Sequence, residues 1–205
     1  GFFSFPAKLQ DILKGTAHSS EAIYKHPTGL KILPSGLDLD SVDVDLSNFE
    51  SVLNGLEGTI LVDSPPGLGE DVQSIIKVCD EILIVTNPEL PTITNAAKAI
   101  KLARKFKKPV AGVIINKWDG HPLDLTHQEI ELMCESHVIS TIPFDSAVKE
   151  SIYKKNPLVA YSPFSKASIE YKKLAAHLIG KEYETPKFLV LKKIAHRMKN
   201  RSKYR

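Results

Sequence analysis

Four apolar runs of strand length recur along the chain, at residues 59–63, 81–86, 110–115 and 137–142, and each stops at a polar or proline-bearing turn. A strand buried on both faces reads as a continuous apolar run, whereas a strand with one wet face alternates. Segments of helical length separate the runs, and parallel strands need such crossovers. The pattern predicts an α/β fold, a three-layer sandwich around a mostly parallel sheet. Helices are expected over 6–14, 45–56, 70–79, 92–105, 126–135, 145–154 and 165–179, with a short strand at 30–33. Thr92 or Thr94 is the expected cap of the fourth helix.

In such a sheet ligands gather at the carboxyl ends of the strands. The first run ends in Asp63-Ser64-Pro65-Pro66-Gly67. A lone carboxylate at a strand end can hold magnesium, usually through water. Gly67 lets a backbone N–H come close to a phosphate. The plainer reading is an ordinary strand, a Pro-Pro turn and a helix capped near Gly69. Residues 116–119 read Asn116-Lys117-Trp118-Asp119, the N-K-x-D motif of guanine readers, in which the aspartate accepts two N–H groups of the base. The plainer reading of Asp119-Gly120 is a turn, and Trp118 is expected to be a loop aromatic near the base. The seven histidines show no metal-ligand spacing. Ser64 has no histidine and acid at nucleophile-motif spacing.

A chain of 205 residues with 42% apolar composition suffices for one α/β core. Cys79 and Cys134 fit neither a metal motif nor a disulfide framework and read as reduced core or helix-face thiols. No apolar run reaches the roughly 20 residues of a bilayer span. Residues 187–205 carry eight basic groups and no acid. With a whole-chain charge of +3, residues 1–186 come to 3 − 8 = −5. On a helical wheel Phe188, Leu191, Ile194 and Met198 fall on one side of this tail, and Lys192, Lys193 and Arg197 on the other. A basic amphipathic helix of this kind suits an anionic membrane surface. A packed or solvated helix and a nucleic-acid contact remain open, nucleic acid ranking last. Residues 1–180 form the expected domain, and 181–205 a linker and this helix.

The ordered set DSPPG, TNPELP, GVIINKWDG and STIPFD resembles the MinD/ParA group of deviant P-loop ATPases, and most closely its MinD subgroup, over roughly residues 8–180. The resemblance implies a P-loop NTPase fold that binds ATP with Mg2+. It implies that Asp63 orients the magnesium–water shell and that Pro66 and Gly67 sense the γ-phosphate. Asn116 then contacts adenine, with Lys117 and Asp119 beside it and Pro143 and Phe144 framing the base. D-x-x-x-G here, against D-x-x-G in GTPases, favours the ATP side. The implied activity is an ATP-dependent dimerisation switch in spatial positioning of a division site, DNA or another cargo. The implied partners are a second copy and a regulatory protein. The implied location is cytoplasmic, or peripheral at the inner face of the cell membrane.

One departure is large: neither G-x-x-x-x-G-K-[ST] nor K-G-G-x-G-K-[ST] occurs in the sequence. A fragment lacking its first strand and P-loop is the favoured expectation. The alternative is a non-hydrolysing scaffold that keeps the fold.

Overall fold

A computed structural model describes residues 5–35, 48–188 and Lys192. The chain divides into two compact units, residues 1–80 and 81–205.

In the first unit, α1 (Leu9–Leu13) and α2 (Ser19–Ala22) precede β1 (Tyr24–Lys25) and β2 (Lys31–Ile32). These two strands pair antiparallel, Tyr24 opposite Ile32. Gly29 (φ 91°) closes the hairpin, its N–H donating to the His26 carbonyl at 2.8 Å. The helix α3 (Phe49–Asn54) and the helix α4 (Glu70–Val78) follow. Residues 45–47, the expected start of α3, lie outside the described residues.

The segment 59–63 corrects the first expectation. It belongs to neither sheet, and Leu61 is 78% exposed. A strand is defined by the ladder it shares with a neighbour, and an apolar run without that ladder is only extended chain.

The second unit is a parallel three-stranded sheet in the order β3 (Ile82–Thr86), β4 (Val110–Trp118), β5 (Val138–Pro143). The helix α5 (Leu90–Lys105) connects β3 to β4, and α6 (His127–Cys134) connects β4 to β5. After β5 come α7 (Ser146–Tyr153), α8 (Leu158–Tyr161) and α9 (Lys166–Leu178). Strand alternation sorts the core into two faces. Ile84, Val113 and Ile115 pack with Ile93, Ala96 and Ile100 of α5 and with Ile130 and Cys134 of α6. Ile114 and Ile142 pack with Ala167 of α9, joined by Leu83, Val148 of α7, Leu158 of α8 and Leu174 of α9. This is the three-layer arrangement of an α/β fold.

The helix α5 starts two residues before the expected Thr92, with Glu89 as its cap residue and Pro91 in its first turn. Proline is well placed there because the first-turn N–H groups have no intrahelical acceptor. Gly112 of β4 lies close against β5. Its φ is 151°, and a Cβ there would collide with the Ile139 side chain. At the far end, α9 stops at Leu178 and Gly180 takes a φ of 65°.

No helix among the described residues is long and apolar enough to cross a membrane. Of the expected tail stripe, Phe188 is exposed and its carbonyl accepts the Lys192 N–H at 3.1 Å. Leu191, Lys193, Ile194, Arg197 and Met198 lie outside the described residues.

Candidate nucleotide site

Because β3, β4 and β5 run parallel, their carboxyl ends share one edge of the sheet, where a ligand crevice is expected. Three turns leave that edge, and backbone hydrogen bonds lace them together. After β3, the buried Thr86 leads into Asn87-Pro88-Glu89. The Thr92 hydroxyl in the first turn of α5 lies 2.9 Å from the Asn87 carbonyl and 2.7 Å from the Glu89 carbonyl. The Leu125 N–H, in the loop after β4, donates to the Pro88 carbonyl at 3.1 Å. The Phe144 N–H, just past β5, donates to the Trp118 carbonyl at 2.7 Å.

The strand β4 carries the main irregularity. It runs three residues past its expected end, and its register with β5 slips between Ile115 and Trp118. Lys117, inside the slip, has a φ of 57°. A non-glycine residue in the left-handed region costs about 1–2 kcal/mol, and bulges of this kind re-aim side chains beside functional sites. Asn116 is half-buried and Lys117 exposed. Pro143 pairs with Trp118, which brings residues 116–119 and 143–144 side by side. Phe144 is 63% exposed. An amide that both donates and accepts can pair with an adenine edge, and an open ring can stack on a base.

Asp119 has a local task. Its Oδ1 accepts the His121 N–H at 3.0 Å, and His121 Nδ1 accepts the Leu123 N–H at 3.2 Å. This is an aspartate-closed turn. Trp118 corrects another expectation. It packs against the β3–α5–α6 cluster, and its ring lies 4.8 Å from that of His127. His127 Nε2 in turn lies 2.8 Å from Thr141 Oγ1 on β5. Trp118 is a half-buried residue at the end of β4, packed on the core. The lacing by Thr92 and Leu125 was missed at the sequence level, because neither residue belongs to a motif.

Asp63, Pro66 and Gly67 belong to the first unit, where all three are exposed. Gly67 has a φ of 104° with open space around it, so the turn needs glycine for its backbone. The following helix α4 bears Glu70 and Asp71 in its first turn. These acids suit the positive helix end and compete there with any phosphate.

Each unit, taken by itself, offers part of what a magnesium nucleotide needs. Asp63 is a hard oxygen ligand of the sort that holds magnesium through water. No group of three or more histidine, cysteine or acidic residues is placed to grip a bare metal among the described residues. The 116–119 and 143–144 turns offer the groups a base needs. The sequence contains no phosphate-loop motif to cradle a triphosphate. The thiols are elsewhere: Cys134 is buried in the core, and that burial pushes its pKa up.

A family described as ParA, NUBPL iron-transfer P-loop NTPase, matches residues 51–179, more than half of the chain. An uncharacterised ATP-binding protein of Methanocaldococcus jannaschii is 31% identical over 183 residues, covering 87% of this chain and 69% of its own length. The septum site-determining protein MinD of Thermotoga maritima is 26% identical over 144 residues, covering 65% of this chain and 53% of its own length. Among solved structures, the cell division ATPase MinD of Pyrococcus furiosus superposes with a TM-score of 0.81 at 28% identity, covering 87% of this chain and 77% of that one. The MinD of Pyrococcus horikoshii, complexed with Mg-ADP, gives 0.78 at 28% identity, covering 84% and 73%. The parallel sheet, the ligand edge and these likenesses agree: the chain belongs to the ParA family of P-loop NTPases, among proteins of the MinD kind.

Proposed function

We propose that this chain is the body of a MinD-like positioning ATPase that pairs with a second copy when ATP is bound and parts from it on hydrolysis. The observation that carries this reading is the bonding along one sheet edge of the 87–89 turn to Leu125, in the loop after β4, and of Trp118 to Phe144. In this reading Asn116 pairs with adenine, with Lys117 beside it, while Pro143 and Phe144 frame the base. The turn closed by Asp119 gives that carboxylate a local task, in keeping with adenine as the base. Asp63 orients hydrated magnesium; that a magnesium nucleotide is the ligand is supported by the Mg-ADP bound to the Pyrococcus horikoshii relative. Pro66 and Gly67 respond to the γ-phosphate. The basic tail holds the protein at the inner face of an anionic membrane, and a regulatory protein triggers release.

The family description also names iron transfer. Of the two cysteines, Cys134 is enclosed in the β3–α5–α6 core, where it cannot hand a cluster to a partner.

The test is nucleotide competition. The 205-residue chain alone should bind ATP weakly, because a P-loop supplies most phosphate affinity. With a strand and K-G-G-x-G-K-[ST] loop fused upstream, it should bind Mg-ATP. Asp63→Ala should then abolish hydrolysis, and Asp119→Ala should leave base choice unchanged. A tenfold preference for GTP, about 1.4 kcal/mol, would overturn the adenine assignment.

A further inference from the structure

The helix α7 ends in a knob of apolar and basic side chains that the nucleotide reading does not use. Its inner face is taken up by Val148, packed on the Ile114–Ile142 cluster, and by the buried Ser151. Ile152 and Tyr153 lie outside that face and are 72% and 82% exposed. Among the described residues they are the most exposed pair of adjacent large apolar side chains. Lys149, one helical turn back, shares their side of the helix and is exposed. Lys154 and Lys155 follow and are exposed too, with the Lys154 ammonium 5.8 Å from the centre of the Tyr153 ring. The acid of this stretch, Glu150, accepts the Tyr161 hydroxyl of α8 at 3.1 Å. The backbone beneath the knob is closed. Lys155 has a φ of 50°, and the N–H groups of Lys155 and Asn156 donate to the Ile152 and Ser151 carbonyls, each at 3.0 Å. Pro157 then caps α8.

The chemistry of the knob selects its occupant. An isoleucine and a tyrosine form an apolar wedge inside a rim of three lysines. A stable protein interface buries about 800 Å² per partner, more than two adjacent side chains supply. A bilayer is fluid and accepts a wedge of any outline. Tyrosine suits its interface, since the ring is apolar and the hydroxyl stays wet. Lysine stems lie along the apolar zone while their ammonium heads reach anionic lipid. We propose that the α7–α8 turn is a membrane contact separate from the tail, in which Ile152 and Tyr153 insert at the headgroup level and Lys149, Lys154 and Lys155 face anionic lipid. One weak anchor gives marginal, reversible attachment, and stable attachment takes two signals. The contact uses no residue of 187–205 and none of the 116–119 or 143–144 turns, so it depends neither on the tail nor on the nucleotide reading.

The experiment is sedimentation of the full chain with vesicles of phosphatidylcholine, with and without phosphatidylserine. Wild type should bind the phosphatidylserine vesicles more tightly, and added salt should weaken that preference. The exposed double change Ile152→Ser with Tyr153→Ser should weaken binding about tenfold and leave Tm unchanged. Lys154→Gln with Lys155→Gln should weaken binding to phosphatidylserine by about tenfold or more and leave phosphatidylcholine binding alone. Tyr153→Trp should add emission that brominated lipid quenches, beyond any quenching of Trp118 in wild type. The tail is read separately with Leu191→Glu. Loss with the α7 changes but not with Leu191→Glu would support this contact and sink the tail anchor; loss with both would support both. Loss with Leu191→Glu alone would overturn this contact and leave the tail anchor standing. No vesicle binding by wild type, or no added quenching in Tyr153→Trp, would also overturn it. So would self-association of wild type that the serine changes abolish while vesicle binding stays unchanged, which would make the knob a protein interface.

Discussion

Residues 59–63 and 82–86 are apolar runs of the same length, one in each unit, and only the second is a strand. Ile82–Thr86 shares a parallel ladder with β4, and Ile84 and Thr86 sink into the α5–α6 face. Residues 59–63 have no ladder, and Leu61 is open to solvent. Both runs carry the same sequence signal, so hydrophobicity alone does not specify a strand. Backbone groups must find partners before burial becomes favourable, because an unpaired buried N–H or carbonyl costs about 1–3 kcal/mol. The two units differ in the same way. The described residues include five buried apolar side chains before Glu81 and thirteen after it. Even β3 shows the edge effect, with Val85 62% exposed on the face away from α5.

Two glycines give the largest expected contrast. Gly112 has no room for a Cβ, since Ile139 and the His137 carbonyl occupy the space, and its φ is 151°. Strain and overpacking each cost about 1–3 kcal/mol, so Gly112→Ala should destabilise the second unit by roughly 2–6 kcal/mol. Gly67, at a φ of 104°, faces open space. Gly67→Ala should cost only the strain, about 1–3 kcal/mol, and should act on the first unit. Urea unfolding with hydrogen exchange as the regional readout separates the two. A larger loss from Gly67→Ala would show that β4 and β5 do not hold the sheet as closely as the structure has them.

Truncation of apolar side chains should repeat the contrast at smaller scale. Ile100 is fully buried between α5 and the sheet, and Ile100→Ala should cost about 2–5 kcal/mol. Leu61→Ala should stay within about 0.5 kcal/mol, as exposed substitutions do. A Leu61→Ala loss comparable with that of Ile100→Ala would mean that segment 59–63 is buried in solution. Amide exchange makes the same distinction: Val113–Ile115 should be protected and 60–62 should exchange fast.

Arg104 ties the end of α5 to the end of α6 through Glu135, whose own φ of 48° closes α6. Both side chains are largely exposed. Arg104→Ala should therefore shift stability by no more than about 1 kcal/mol, and less at high salt. A loss independent of salt would point to the guanidinium's packing instead of its charge.

The second unit was readable from sequence because local signals agreed with tertiary burial. The runs at 81–86, 110–115 and 137–142 and the helices near 126–135, 145–154 and 165–179 lie within a few residues of their elements. What was illegible depends on distant partners. The two-residue strands Tyr24–Lys25 and Lys31–Ile32 are too short for periodicity, and only one was expected. The four-residue helices α2 and α8 left no pattern either. Asn116, Pro143 and Phe144 were singled out because they follow the runs at 110–115 and 137–142, and the structure carries Asn116 and Pro143 inside β4 and β5. The left-handed backbone of Lys117 was not legible, because the bulge is set by the register with β5. Trp118 was misread for the same reason: its burial is decided by α6 and His127.

The smallest expected effect concerns acid and the cap of α6, the helix whose residue His127 touches Trp118. Thr126 and Glu129 form a reciprocal capping box. Glu129 Oε2 accepts the Thr126 N–H and hydroxyl, each at 2.8 Å, while the Thr126 hydroxyl accepts the Glu129 N–H at 3.3 Å. The Thr126 backbone N–H, followed by its hydroxyl, holds the Glu129 carboxyl below its ordinary value of 4.5. A pKa lowered in the folded state contributes stability that is full above the unfolded value and is lost as pH falls through the folded one. Wild type should therefore lose this contribution below pH 4.5, while Glu129→Gln, which keeps an acceptor but cannot titrate, should not. The measurement is the difference in Tm between the two proteins at pH 7 and at pH 3. The difference should shrink in acid, and a gap that stays constant would show that the carboxylate's charge does not hold the cap beside the proposed base site.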